Sequence, residues 1–112
     1  MISKNLVAAS TKPIILALLY KEESYGYQIL QRIRRVTGGK LAWSSAMLYP
    51  FLQRLEKEGF VKSKWKISGT GRMRKYYVIT ERGRKECVAE KERWLSVHDA
   101  LQSFWAAAES SD

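Results

Sequence analysis

The sequence predicts a mainly α-helical fold with one small β-hairpin, within a single domain of 112 residues. Three observations lead to this fold class. Apolar residues recur at helical spacing through the first half of the chain, two β-rich segments flank a glycine-bearing turn, and a long helical pattern follows them. A chain of this size leaves much of its surface in water, so any surplus apolar face should be buried between subunits.

The first predicted helix lies between Leu6 and Tyr20, where apolar residues recur at helical spacing. Pro13 interrupts the pattern. Either Thr11 caps a second helix that begins near Pro13, or one longer helix is kinked there. The pattern fits both alternatives.

The second predicted helix covers residues 25–37. Ser24 is a suitable N-cap, Tyr27 begins an apolar stripe that should face the core, and Gly38-Gly39 ends the helix. Only a short connection separates it from the next helical pattern. Two helices joined in this way are compatible with a helix-turn-helix.

The third predicted helix begins after Ser44 or Ser45, either of which is a natural cap, and it runs to Glu58 before Gly59. Its apolar face is formed by residues at helical spacing, namely Leu48, Phe51, Leu52 and Leu55.

A β-hairpin is predicted from residues 60–67 and 74–80, which flank the segment 68–73. In its first strand Lys62, Lys64 and Lys66 alternate with other residues, so one face of that strand is basic. Three helices followed by a hairpin are the order of a winged helix-turn-helix. We therefore expect residues 1–80 to form such a domain.

The remaining residues, 81–112, are predicted to form one long helix with Thr80 as its N-cap. Apolar residues in its second half recur in steps of three and four, which is typical of a helix that packs along another helix. We interpret it as a dimerisation helix. The expected dimer-interface residues are Leu6, Trp94, Val97, Leu101, Phe104 and Trp105.

The charge favours a polyanionic partner, because 20 Lys and Arg residues face 11 acidic residues and the net charge is +9. No long apolar run and no secretion signal is evident, so we expect a cytoplasmic protein without a membrane partner. Cys87, the single cysteine, is best explained as a small buried hydrophobic residue. Nucleophile, phosphate-loop and metal-ligand spacings are absent, so no enzyme activity, cofactor or metal is expected.

Three stretches make the sequence resemble the PadR family of transcriptional regulators. They are Tyr25-Gly26-Tyr27, then Leu48-Tyr49-Pro50 with Leu52, Leu55, Glu56 and Gly59, and finally Arg74-Lys75-Tyr76-Tyr77 with Thr80 and Gly83. The short C-terminal helix is similar to the compact branch that includes the multidrug-sensing LmrR-like regulators. Ala46-Met47 departs from the family pattern, in which a Gly or Thr is common before the leucine.

The resemblance implies a repressor that binds a palindromic site in double-stranded DNA as a homodimer. With a recognition helix in the major groove and a wing near the minor groove, the candidate DNA-binding residues are Ser24, Tyr25, Ser44, Ser45, Tyr49, Gln53, Arg54, Lys66, Arg72, Arg74 and Lys75. Simpler roles remain open for several of these side chains. Tyr49 can pack beneath the wing, Arg54 can pair with Glu58, the two serines can serve only as caps, and the hairpin can be a solvated charged surface.

The resemblance also implies a ligand site. In LmrR-like proteins a tryptophan of the last helix stacks on flat aromatic compounds at the dimer interface; Trp94 matches it, and His98 lies one turn further on. A small planar hydrophobic effector is therefore one hypothesis, and ordinary dimer packing by Trp94 is the alternative. Two other functions stay open, a small-molecule-binding protein and a non-specific nucleic-acid-binding protein.

Overall fold

Four helices and a three-stranded antiparallel sheet make up the structure, a computed structural model that describes residues 2–110. The strand order in the sheet is β1-β3-β2. This arrangement confirms the predicted fold class, a winged helix-turn-helix followed by one long helix. In chain order the elements are α1 (Lys4–Lys21), β1 (Ser24–Tyr25), α2 (Gly26–Val36), α3 (Ser45–Lys57), β2 (Val61–Ile67), β3 (Met73–Ile79) and α4 (Glu81–Glu109).

Helix α1 is continuous through Pro13. The Ser3 hydroxyl caps it by accepting a hydrogen bond from the amide of Leu6. Thr11 does not begin a second helix. It lies buried inside α1, and its hydroxyl donates to the carbonyl of Val7 at 2.9 Å. Of the two alternatives for Pro13, the one with a second helix is therefore wrong.

The start of α2 differs from the prediction by one residue. Tyr25, not Ser24, is the N-cap, and its backbone amide donates to the Gln28 side chain at 3.2 Å. Ser24 belongs to strand β1, where it pairs with Tyr77 of β3. The Ser24 side chain is buried, and its hydroxyl accepts a hydrogen bond from Arg32 at 3.1 Å. The prediction of a Ser24 cap was wrong because the local sequence does not show this strand pairing.

The core lies between the three N-terminal helices and one face of the sheet. Its fully buried side chains include Ile15 and Leu16 of α1, Ile29 of α2, and Leu48 and Leu52 of α3. Their burial follows the helical spacing of the sequence. Tyr27 is an exception to the predicted stripe, because 57% of it is exposed to solvent.

Helix α3 begins and ends as the sequence predicts. Of the two candidate caps Ser44 is the one used, since its hydroxyl accepts from the amide of Met47 at 3.2 Å. Gly59 follows the helix with a φ of 85°, and the amide of Phe60 then donates to the carbonyl of Leu55 at 2.9 Å. The left-handed conformation of Gly59 ends the helix, and strand β2 begins two residues later at Val61.

Helix α4 is attached to the domain at its first turns. Thr80 caps it, as predicted, by accepting a hydrogen bond from the amide of Gly83 at 3.0 Å. Gly83 is buried so closely against Phe60 that a Cβ atom there would lie 2.0 Å from the Phe60 carbonyl oxygen. Cys87 packs half-buried against the core, and burial raises the pKa of its thiol.

An ion-pair network joins α1 to α4. Lys12 forms ion pairs with Glu86 and Glu90, and Arg93 approaches the same two carboxylates at 3.4 and 3.5 Å. The Lys12 ammonium is the main reason that the pKa of Glu86 lies below its ordinary value. Beyond this network every described residue of α4, from Lys91 onward, is exposed.

Candidate nucleic-acid interface

The outer side of α3 presents an open stripe of polar side chains. Ser45, Tyr49 and Gln53 follow one another at four-residue spacing, and all three are exposed. Ser44 is also exposed at the beginning of the helix. The Arg54 guanidinium lies 5.3 Å from the centre of the Phe51 ring. Hydroxyl and amide side chains of this kind can form hydrogen bonds with base edges in a major groove.

Tyr49 is held against α2 rather than free to move. A Cβ atom at Gly26 would lie 2.2 Å from the Tyr49 hydroxyl oxygen and 2.6 Å from the ring carbon that carries it. A larger residue at position 26 would therefore require the ring of Tyr49 to shift. Since 41% of Tyr49 remains exposed, the residue combines packing against α2 with access to solvent.

The hairpin formed by β2, the turn and β3, hereafter the wing, has two unlike faces. Cross-strand partners share a face, and the register pairs Lys64 with Tyr76 and Lys66 with Arg74 on one of them. Trp65 pairs with Lys75, and Ile67 with Met73, on the other. The second face is the side on which α3 lies, because the hydroxyl of its Ser63 donates to Glu56 of α3 at 2.7 Å. The basic face therefore points away from α3.

Two lysines of the basic face form ion pairs with one carboxylate, that of Glu23. Lys64 lies 3.0 Å from a Glu23 oxygen, and Lys66 forms an ion pair with the other oxygen. These two ammonium groups hold the pKa of the Glu23 carboxyl below its ordinary value. Lys66 also stacks 4.3 Å from the centre of the Tyr76 ring. Lys66, which the sequence predicted as a DNA contact, is thus engaged by Glu23 and Tyr76 in the single chain.

Arg74 is packed in a similar way. Its guanidinium lies 4.5 Å from the centre of the Tyr25 ring, and Tyr25 meets Tyr76 edge to face at 5.2 Å. In the described part of the chain, the Nε atom of Arg74 is buried without a hydrogen-bond partner. The stack joins the beginning of α2 to strand β3 of the wing, and Tyr25 is half-buried there.

The tip of the wing is an ordered turn. The amide of Ser68 donates to the carbonyl of Arg72 at 2.8 Å, and the amide of Gly71 donates to that of Ser68 at 2.9 Å. Gly71 has a φ of 85°, which a glycine adopts without strain. Arg72 is exposed at this tip, whereas Lys75 is half-buried with its ammonium 5.8 Å from the Tyr77 ring centre.

The predicted site residues thus fall into three groups. Those on the open side of α3 and at the wing tip are accessible: Ser44, Ser45, Tyr49, Gln53, Arg54 and Arg72. A second group is engaged within the protein, on the strands of the wing and at the neighbouring start of α2: Tyr25, Lys66, Arg74 and, in part, Lys75. Ser24 is buried, so its side chain is removed from the candidate interface. Sequence reasoning missed Glu23, because its lysine partners lie some forty residues further on.

The apolar surface predicted to form the dimer interface is exposed in the single chain. Its members are Leu6 (56% exposed), Trp94 (37%), Val97 (54%), Leu101 (42%), Phe104 (74%) and Trp105 (50%). A surface hollow of about 330 Å³ lies beside Trp94, lined also by Ala9, Glu90, Arg93 and Val97. His98 is not among its lining residues; its ring nitrogen lies 3.7 Å from Asp99 instead.

None of the helices within residues 2–110 combines the length and apolarity that spanning a bilayer requires.

The three-helix domain, its open α3 and its adjoining wing define a winged helix-turn-helix transcriptional regulator.

Comparison with known proteins gives the family. The model of the transcriptional regulator PadR-like family matches residues 15–89. A solved transcriptional regulator from Clostridium thermocellum is 34% identical, with a TM-score of 0.84 over 93% of this chain and 98% of that one. A PadR-like regulator from Bacillus cereus is 26% identical, with a TM-score of 0.81 over 91% and 97% of the two chains. The chain belongs to the PadR-like family.

A curated relative is the negative transcriptional regulator PadR of Bacillus subtilis, which is 32% identical over 90 residues. The match covers 80% of this chain but 47% of that protein, so the chain spans about half of that relative. The family and these relatives are transcriptional regulators rather than enzymes, as the sequence predicted.

Proposed function

We propose that the protein is a sequence-specific transcriptional repressor that binds a palindromic operator as a homodimer. The observation that carries this proposal is the open polar stripe of α3 beside a wing that ends in Arg72, on a chain with a net charge of +9. Gln53 and Arg54 are suited to purine edges, and Ser44, Ser45 and Tyr49 to phosphates or bases.

Electrostatics supplies affinity in this proposal, and the helix supplies specificity. A dimer that neutralises about eight phosphates would show a log–log salt slope near −7. Base contacts contribute about 1–3 kcal/mol each, and twofold symmetry doubles them. A single subunit would discriminate poorly, so dimerisation is part of the mechanism. We therefore treat residues 1–80 as the reading domain and residues 81–112 as the dimerisation helix.

Selection of binding sites from a random duplex pool at about 150 mM salt tests this function. We expect an inverted repeat whose half-sites lie about one helical turn apart, roughly 34–36 Å. On that duplex, Gln53→Ala should weaken binding by about 1–3 kcal/mol and relax the preference at one base pair per half-site. Ser96→Ala, a change at an exposed and uncharged residue of α4, serves as the control and should bind as the wild type does. Equal binding of random and selected duplexes would instead indicate a non-specific nucleic-acid-binding protein.

A second proposal concerns an effector. The hollow beside Trp94 favours a small planar hydrophobic ligand, which two tryptophans of a dimer would enclose. Such a ligand releases the operator only if it prefers a dimer arrangement that does not fit DNA. Planar dyes should quench the tryptophan fluorescence of the wild type, and Trp94→Ala should abolish that change. Trp65→Phe, a change at an exposed tryptophan of β2 outside the proposed dimer interface, is the control. Undiminished quenching in Trp94→Ala would remove the ligand site and leave Trp94 as dimer packing.

A further inference from the structure

A surface hollow of about 450 Å³ lies between helix α2 and the segment that precedes α3. Its volume is within the range of small-molecule sites. We call it the α2 hollow. It shares no residue with the hollow beside Trp94. The residues that line it are Tyr27, Leu30, Gln31, Arg34, Arg35 and Trp43.

Two aromatic side chains form walls of the α2 hollow. Tyr27 is 57% exposed, although the sequence predicts it in the core, whereas Trp43 is buried with 6% exposure. Within residues 2–110 the indole Nε1 of Trp43 is buried without a hydrogen-bond partner. Buried indole N–H groups usually have a partner, so the surroundings of Trp43 are short of one acceptor. The hollow therefore combines an accessible aromatic ring with an unmet hydrogen-bond donor.

One end of the α2 hollow is cationic. Arg34 and Arg35 are both exposed, and in the described part of the chain neither guanidinium forms an ion pair or a hydrogen bond. A phosphate monoester carries nearly two negative charges, so it matches two guanidinium groups better than a carboxylate does. Tyr27 precedes Arg34 by seven residues, which corresponds to about 10 Å along a helix. The hollow thus offers a ring at one end and positive charge at the other.

We propose that the α2 hollow binds a free nucleoside monophosphate, with the base on Tyr27 and the phosphate at Arg34 and Arg35. A separation of about 10 Å suits a ligand in which a sugar lies between the ring and the charge. Stacking on an aromatic side chain serves any base, since every base has a π-face. A duplex offers phosphates but keeps its bases stacked inside, so a free nucleotide fits both ends better. This binding site is independent of the proposed repressor function.

Titration of the ¹⁵N-labelled full chain with adenosine 5′-monophosphate tests the proposal. The chain has four tryptophans, and Trp43→Phe identifies the indole N–H signal of Trp43 among them. We expect this signal to shift and to saturate. Adenosine lacks the phosphate and ribose 5-phosphate lacks the base. At one ionic strength each should therefore bind about tenfold more weakly, or worse.

The variant Arg34→Gln with Arg35→Gln removes the cationic end of the hollow. It should bind adenosine 5′-monophosphate at least about tenfold more weakly than the wild type does. The matched control is Lys62→Gln with Lys85→Gln, which removes the same charge from two exposed lysines outside the hollow. This control should bind the nucleotide as the wild type does. Circular dichroism confirms that both variants are folded.

Four results would overturn the inference. One is a Trp43 signal that stays in place at millimolar nucleotide. A second is equal affinity for ribose 5-phosphate, which would leave only a patch for anions. A third is equal weakening in both variants, which would show that the net charge of the chain attracts the phosphate. The fourth is a Trp43 signal that shifts with duplex DNA but not with the nucleotide, which would make the hollow a contact for the DNA backbone.

Discussion

Replacing Leu101 and Phe104 by glutamate is expected to yield monomers and to weaken operator binding by roughly a hundredfold or more. Both side chains are exposed in the single chain, at 42% and 74%, and both lie on the apolar stripe of α4. Two carboxylates in the centre of an apolar helix–helix interface would lose their hydration without gaining partners. Each separated subunit would then bind only one half-site.

Sedimentation at micromolar concentration and titration of the selected duplex measure the two effects. The matched control places the same charges on the opposite side of the same helix, through Ser103→Glu with Ala106→Glu. This control should remain dimeric and bind normally. A dimer that survives Leu101→Glu with Phe104→Glu, or a monomer that keeps full operator affinity, would contradict the proposed role of α4.

The second large effect is expected from Gly83→Ala, which should lower the free energy of unfolding by about 3 kcal/mol. The added Cβ atom would lie 2.0 Å from the carbonyl oxygen of Phe60 and 2.7 Å from a side-chain carbon of Ile79. The first of these is a backbone atom, so relief requires α4 to move away from the sheet. Helix propensity alone would make the alanine variant more stable by up to about 1 kcal/mol. The steric clash acts in the opposite direction and outweighs this gain.

Chemical denaturation at one fixed protein concentration measures this change. Gly69→Ala is the control, because a Cβ atom at Gly69 meets nothing within 4 Å. It should change the stability by less than about 0.5 kcal/mol. A more stable Gly83→Ala protein would show that α4 is not packed against the carbonyl of Phe60.

The sequence predicted well the features that depend on neighbouring residues. The caps Ser44 and Thr80 were both predicted, because an N-cap hydroxyl binds an amide only three residues away. The first residues of α3 and α4 follow from these caps. The apolar stripe of α4 was also visible, since it depends on helical spacing alone.

Contacts between distant residues were missed. Strand β1 exists because Ser24 and Tyr25 pair with Tyr77 and Tyr76, and this pairing moves the helix cap from Ser24 to Tyr25. Likewise, the hairpin sequence alone shows Lys64 and Lys66 without an acidic partner. The fold places Glu23 beside them, where it forms ion pairs with both. Local patterns of apolarity and charge carry no information about such partners.

Helix α4 acts as a long lever on the geometry of the proposed dimer. Its 29 residues span about 43 Å, at roughly 1.5 Å per residue, and only its first turns are packed against the domain. Residues 94–109 span about 24 Å of this length, so a tilt of about 5° where the packed part ends displaces the far end by about 2 Å. The pivot is the cluster of Lys12, Glu86, Glu90 and Arg93. Small angular changes there are thereby amplified into the distance that separates two reading domains along the duplex.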